Sequence, residues 1–157
     1  MLSNEISFSE FKGKVLLVVN IASECRFTPQ LYDLQTLYLQ NRDRGFEILA
    51  FPSNDFGNQE PLDNKGIDDY CRNSFLISFP VFEKSHVVGK KANPVFQFLS
   101  SKKLNGKISS QPLWNFHKYL VDREGNVVNY FFSFTKPTSR RFLKALERHL
   151  SAIKSPV

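Results

Sequence analysis

The chain is poor in sulfur, with two cysteines and one methionine among its 157 residues. Two cysteines cannot form the framework of a secreted disulfide scaffold, but they can form one redox couple. No apolar run approaches the ~20 residues of a membrane span, so no integral membrane segment is expected. The opening stretch MLSNEISFSEFKGK has acidic residues and no apolar core of signal-peptide length, which makes a cytoplasmic location the default expectation. Internal repeats, linkers and low-complexity tracts are missing too, and a chain of this length is expected to form one domain, residues 1–157. His86, His117 and His149 lack ligand-like spacing with one another or with cysteine, so no metal is assigned and ordinary surface or satisfied histidines are expected. What is present in excess is phenylalanine, sixteen residues against a single tryptophan, which suggests a core of rigid aromatic rings. The net charge of +6 admits an anionic partner. However, Lys90, Lys91, Lys102, Lys103, Arg140 and Arg141 lie in scattered pairs not interleaved with aromatics, which reads as a solvated basic surface and not as a nucleic-acid face.

Apolar runs of strand composition alternate with segments of helical period. Val15 to Ile21 is a continuous Val-rich run, the pattern of a strand covered on both faces. A helix is expected from about Pro29 to Gln40, with Leu31, Leu34, Leu37 and Tyr38 on one side. Phe46 to Phe51 reads as a second buried strand, and PSNDFGNQEPLDN as a loop. A short helix over Lys65 to Ser74 with Asn64 as its cap, a strand over Phe79 to Phe82, and a brief helix after Pro94 follow. SSKKLNGKISSQP reads as a polar loop. Lys118 to Val121 and Val127 to Phe132 flank DREGN, a hairpin turn with Gly where positive φ is needed. Pro137 then opens a final amphipathic helix through Phe142, Leu143, Leu146, Leu150 and Ile153. This order specifies an α/β thioredoxin-like fold, a central mixed β-sheet flanked by helices on both faces.

Cys25 stands where the first strand hands over to a helix. A thiol there faces unpaired backbone N–H groups and the positive end of the helix dipole, which favour its reactive thiolate. On residue type alone, a buried cysteine acting as a small hydrophobe is the ordinary expectation; the position argues for redox chemistry. Attack of a thiolate on an O–O bond further needs rigid neutral donors that hold the sulfur and stabilise the departing oxygen. GNQEP offers Gln59, and PLWNF offers Trp114 with the amide of Asn115.

Three stretches, NIASECRFT, FPSNDFGNQEP and WNFHKYLV, resemble the marks of the glutathione peroxidase family, and the resemblance runs from about Asn4 to Ile153. It implies a catalytic tetrad of Cys25 as peroxidatic nucleophile with Gln59, Trp114 and Asn115 as hydrogen-bonding partners, and no cofactor beyond a thiol co-substrate. It also implies that Cys71, in DDYCRNSF, is a resolving cysteine that condenses with the Cys25 sulfenic acid to give a disulfide. A helix normally holds a side chain too far from a partner on another element for an S–S bond, so the segment around Cys71 is expected to unwind. Gly66, Asp68, Asp69, Asn73 and Ser74, weak helix formers, permit this. A buried structural Cys71 is the alternative.

Departures from the family pattern are Ser53 where many members have cysteine, Asp55 for a frequent Gln, and Arg26 for a frequent Gly. Arg26 beside the nucleophile would favour its thiolate, and an inward-pointing Asp55 would oppose it. The chain starts near the middle of the family's usual N-terminal hairpin, which implies trimming or a removed targeting segment and keeps the endoplasmic reticulum open as a compartment. The stretch between Leu99 and Trp114 lacks the insertion that builds the interface of tetrameric members, so the chain resembles the monomeric, thioredoxin-reduced branch. The expected function is a thiol peroxidase for hydrogen peroxide and organic or lipid hydroperoxides, with a thioredoxin-like reductant. A glutathione-dependent one-Cys peroxidase and a redox sensor or relay are the alternatives. Pro80 occupies the place of the cis-proline of thioredoxin folds, so the Phe79–Pro80 peptide is expected to be cis.

Overall fold

The computed structural model describes Met1 and residues 8–152. All seven residues of β1 (Val15–Ile21) are buried, and their alternation explains the layers. Val15, Leu17, Val19 and Ile21 enter one core, together with residues of α1 (Gln30–Asn41), α2 (Asn64–Ser74) and α5 (Arg140–Leu150). Leu16 and Val18 enter a second core with Phe51 and Phe82, and with Phe96 and Leu99 of α3 (Pro94–Ser100). A strand whose successive side chains point to opposite faces must be apolar throughout when both faces are covered. Helices therefore flank the sheet on both sides, as expected.

The sheet has the order β2-β1-β3-β4, with β2 spanning Phe46–Pro52, β3 Lys118–Val121 and β4 Val127–Phe131. β1 pairs in parallel with β2 and antiparallel with β3, and β3 pairs antiparallel with β4. The registers Ile21↔Pro52, Val19↔Lys118 and Lys118↔Phe131 gather four segments at one edge. These are the loops after β1, β2 and β4 and the turn before β3. At the opposite edge the DREGN turn closes as expected, the Gly125 N–H donating to Asp122 O at φ +86°.

Several local expectations are corrected. The Phe79–Pro80 peptide is trans, and no cis peptide occurs among the described residues. In the trans form the Ala50 N–H donates to Pro80 O at 3.0 Å and the Phe82 N–H donates to Ala50 O at 2.9 Å, which seats the segment along β2. That contact is a single parallel bridge, Ala50↔Val81, and not the expected strand over Phe79 to Phe82. α2 is capped by Asp63 instead of Asn64: the Asp63 carboxylate accepts from the Gly66 N–H at 2.8 Å, while Asn64 Oδ1 accepts from the Lys84 N–H. α5 starts at Arg140 behind a Ser139 cap, so Pro137 lies upstream of the helix. Its last expected apolar residue, Ile153, lies outside the described residues. Finally, the polar stretch after α3 contains one helical turn, α4 (Lys102–Asn105), closed by Gly106 at φ +80°.

Candidate active site

The loop after β1 is built around Thr28. Its hydroxyl donates to Ala22 O at 2.8 Å and accepts from the Cys25 N–H at 3.0 Å, while the Thr28 N–H donates to Cys25 O. The loop is thus locked onto its own cysteine five residues before α1 begins at Gln30. The Phe27 N–H donates to Cys25 Sγ at 3.4 Å, so a backbone donor of the expected kind reaches the sulfur. Cys25 is buried, with 8% of its surface exposed. Arg26 is exposed beside it.

The loop after β2 is stitched to this one. The Glu24 N–H donates to Gln59 O at 2.9 Å, and the Ser23 hydroxyl donates to Glu60 Oε1 at 2.7 Å. Glu60 is buried, and its burial pushes the carboxyl up from its ordinary value, against the Ser23 hydrogen bonds that pull it down. Asp55 does not face the nucleophile's loop: its carboxylate accepts from the Val87 and Val88 N–H groups and pairs with His86 Nδ1 at 2.6 Å. Ser53, buried, accepts from the Asp55 N–H.

The turn before β3 supplies the third part. Asn115 is buried, and its Nδ2 donates to Gln59 Oε1 at 2.9 Å. That bond uses the Gln59 carbonyl oxygen and leaves the Gln59 amide group as a donor. Asn115 Oδ1 is buried without a partner. Trp114 is 37% exposed and its ring lies 5.7 Å from that of Phe56. Gly57 is required here, since at φ +64° a Cβ would stand 3.0 Å from the Trp114 ring. Cys25, Gln59, Trp114 and Asn115 thus lie on three segments joined by named hydrogen bonds: Cys25's loop to Gln59's backbone, and Gln59's side chain to Asn115.

Cys71 sits on α2, buried in the same core cluster as Cys25, and both thiols are free. Burial pushes the Cys71 thiol up to about 12, with Arg72 opposing. The Tyr70 hydroxyl donates to Ser23 O at 3.2 Å, which ties α2 to the nucleophile's loop.

Sequence reasoning missed several polar groups at this edge. Asn20, the one polar residue of β1, is buried; its Nδ2 donates to Trp114 O at 3.0 Å, and its own O accepts from the Phe116 N–H at 2.6 Å. The signal for it was available, a lone amide in an apolar strand. His117 is neither a surface nor a satisfied histidine: it is fully buried, both ring nitrogens are unpartnered, and it is flanked by the rings of Tyr119, Tyr130 and Phe132. Burial pulls it down to about 4, with Lys118 adding to the effect. Lys118 is buried and pulled down to about 7 by the same cause. Among the described residues no cluster of His, Cys, Asp and Glu could hold a metal ion, and no helix is long and apolar enough to cross a membrane.

Compared with known proteins, residues 2–100 match the sequence model of the family described as glutathione peroxidase. The chain belongs to the glutathione peroxidase family. A glutathione peroxidase-like peroxiredoxin of Chlamydomonas reinhardtii is 48% identical over 84% of this chain and 81% of its own length. A probable phospholipid hydroperoxide glutathione peroxidase of Helianthus annuus is 48% identical over 86% of this chain and 75% of its own. Among solved structures, the apo form of Trgpx superposes with a TM-score of 0.73 at 30% identity, over 96% of this chain and 89% of that one. A thiol:disulfide interchange protein of Chlorobium tepidum shares the fold at 17% identity, with a TM-score of 0.61, over 93% of this chain and 86% of that one. This glutathione peroxidase homologue therefore has the thioredoxin-like fold expected of it.

Proposed function

We propose that this chain is a two-cysteine thiol peroxidase that reduces hydrogen peroxide and organic or lipid hydroperoxides and is recycled by a thioredoxin-like dithiol. The observation that carries the reading is the joining of Cys25's loop to Gln59 and of Gln59 to Asn115 by hydrogen bonds of 2.9 Å each. In the first step the Cys25 thiolate forms a bond to one peroxide oxygen and the O–O bond breaks. The sulfur is oxidised to sulfenic acid, and the departing oxygen leaves as hydroxide or alkoxide and takes up a proton. The Gln59 amide and Trp114 indole N–H groups stabilise the charge that develops on that oxygen, as preorganised neutral donors do without raising the charge of the site, while Asn115, whose Nδ2 donates to Gln59 Oε1 and Phe56 O, holds the Gln59 amide in place. In the second step the Cys71 sulfur attacks the sulfenic sulfur, a disulfide forms, and water leaves. An external dithiol then reduces the disulfide.

The burial of Cys71 governs the second step. A thiol held near 12 on a folded helix is a poor nucleophile at neutral pH, so α2 must open for Cys71 to reach the oxidised sulfur. The same burial favours a second reading, a one-Cys cycle in which glutathione reduces the sulfenic acid directly. Two variants distinguish them. Cys25→Ser is expected to abolish peroxide consumption with either reductant, since a serine hydroxyl is scarcely ionised near neutral pH. Cys71→Ser is expected to oxidise at Cys25 at the parent rate and then stop, with no thioredoxin-supported turnover and with accumulation of sulfenic and sulfinic acid by mass spectrometry. Sustained turnover of Cys71→Ser with glutathione would establish the one-Cys cycle, and activity of Cys25→Ser within a few fold of the parent would remove Cys25 as nucleophile.

A further inference from the structure

A lysine with no exposed surface is costly to keep unless its charge is compensated. Lys118, in β3 immediately after the turn that carries Trp114 and Asn115, is such a residue. Its Nζ donates to Phe116 O at 2.7 Å and to Ser133 O at 3.4 Å, both acceptors being main-chain carbonyls. Phe116 needs holding: it has φ +65°, a conformation that strains a bulky L-residue, and it is fully buried. Its N–H is fixed by Asn20 and its carbonyl by Lys118, so both ends of the strained peptide are clamped. The second acceptor extends the clamp. Ser133 O also accepts from Gln30 Nε2 at 2.7 Å, and Gln30 is the first residue of α1, five positions beyond Cys25.

We infer that Lys118 is a positioning residue for the chemistry of Cys25. Through Phe116 O it sets the turn that presents Asn115 to Gln59, and through Ser133 O and Gln30 it holds that turn in register with the start of the nucleophile's helix. This inference rests on the proposed function above. An apolar residue of similar length would fill the same space but donate nothing, leaving Phe116 O without the bond that Nζ supplies and Ser133 O with Gln30 alone.

Lys118→Met tests it, read by the rate constant for Cys25 oxidation under single-turnover conditions with hydrogen peroxide and by the fluorescence of Trp114, the one tryptophan of the chain. The expected result is a fall of about tenfold in that rate constant, the scale of a displaced donor at a developing charge, with a shifted Trp114 emission. Subsequent Cys25–Cys71 disulfide formation should keep its parent rate, and the thermal midpoint should not fall. A folded Lys118→Met with parent oxidation rate and parent emission overturns the inference; so does equal slowing of both steps together with a lowered midpoint, which marks general destabilisation. Should Lys118→Met fail to fold, Gln30→Met decides by the same two readouts, with about a threefold loss and a shifted emission expected and parent values overturning it. Failure of the parent protein itself to oxidise at Cys25 would instead sink the proposed function, so the two failures are distinguishable.

Discussion

The two edges of the sheet solve the same problem, tight turns and exposed strand ends, with different residues. At the edge formed by the start of β1, the start of β2 and the β3–β4 hairpin, the left-handed positions are glycines, Gly13, Gly45 and Gly125. The loose carbonyls there are gathered by Arg123, whose guanidinium donates to Gly13 O, Gly45 O, Arg44 O and Leu150 O. At the edge that carries Cys25, positive φ falls not only on Gly57 but also on Asn58 and Phe116, and beside Cys71 on Leu76. Buried atoms without partners are concentrated there too, on Asn20, Gln30, Asn115 and His117, against Arg123 Nε at the first edge. Strain and unmet polarity cost stability and persist only where the surroundings impose them. The difference marks one edge as built for stability and the other as stability given up for placement of reactive groups.

The comparison breaks or holds on a pair of truncations. Asn115→Ala removes the donor to Gln59 and is expected to slow Cys25 oxidation by about 10²-fold, while lowering stability by no more than ~1–2 kcal/mol because its partner is half-buried. Phe46→Ala, at the opposite edge, should do the reverse. Phe46 begins β2 opposite Val15 and is fully buried in the first core, so its loss is expected to cost about 3–5 kcal/mol and leave the oxidation rate constant of the folded fraction within about twofold. Stopped-flow oxidation together with urea unfolding measures both. Equal effects of the two variants on rate would remove the functional division between the regions.

What could be read in advance follows the same division. The Val15 to Ile21 run announced a doubly covered strand because each of its faces meets an apolar layer, and the Gln59, Trp114 and Asn115 positions were legible because their motifs are spaced as in a known family. Lys118 and His117 were not, since four residues of β3 become buried only when β4 and the Phe132–Phe134 segment cover them, and a Lys-containing tetrapeptide carries no periodic sign of that. Nor was the trans Pro80 bond, which is set by pairing of the Pro80 carbonyl with Ala50 across two elements. Whether Asp55 points inward, against the thiolate, was not legible either: it is bound by the 86–88 segment, a contact about thirty residues away that no local pattern reveals.

His117 sharpens the comparison through pH. Its folded value is pulled down to about 4 by burial, whereas an unfolded histidine titrates near 6.5. The unfolded chain thus takes up a proton that the folded chain refuses, and stability falls as pH drops from 6.5 toward 4. The loss is expected to be about 2 kcal/mol between pH 7 and pH 5. Glu47 and Glu60 act in the opposite direction, because burial raises their carboxyls and protonation favours the folded state. Lys118, held near 7, adds stability only as pH rises above that value. The parent must therefore be compared with His117→Phe, which keeps the aromatic stack and removes the titration. Denaturant unfolding at the two pH values should show the parent losing about 2 kcal/mol more than the variant; equal losses would mean that His117 takes up its proton in the folded protein.

Leu76 supplies the smallest and most telling effect. It follows α2, has φ +54°, and is 74% exposed, so its side chain contributes little packing to offset the strain of a left-handed leucine. Asparagine tolerates that conformation, and unlike glycine it does not loosen the unfolded chain. Leu76→Asn is therefore expected to stabilise the reduced protein by about 0.5–1 kcal/mol. The neighbouring Ile77 N–H donates to Cys71 O at 3.1 Å, so the strained residue abuts the helix end whose opening the proposed two-cysteine cycle requires. Strain stored there lowers the cost of opening. Removing it should slow disulfide formation after Cys25 oxidation by about two- to fivefold, in proportion to the stability gained, while the oxidation step itself is unchanged. A stabilised variant with parent disulfide kinetics would show that α2 opens from its other end, at the Asp63 cap, and that the strain at Leu76 belongs to the fold alone.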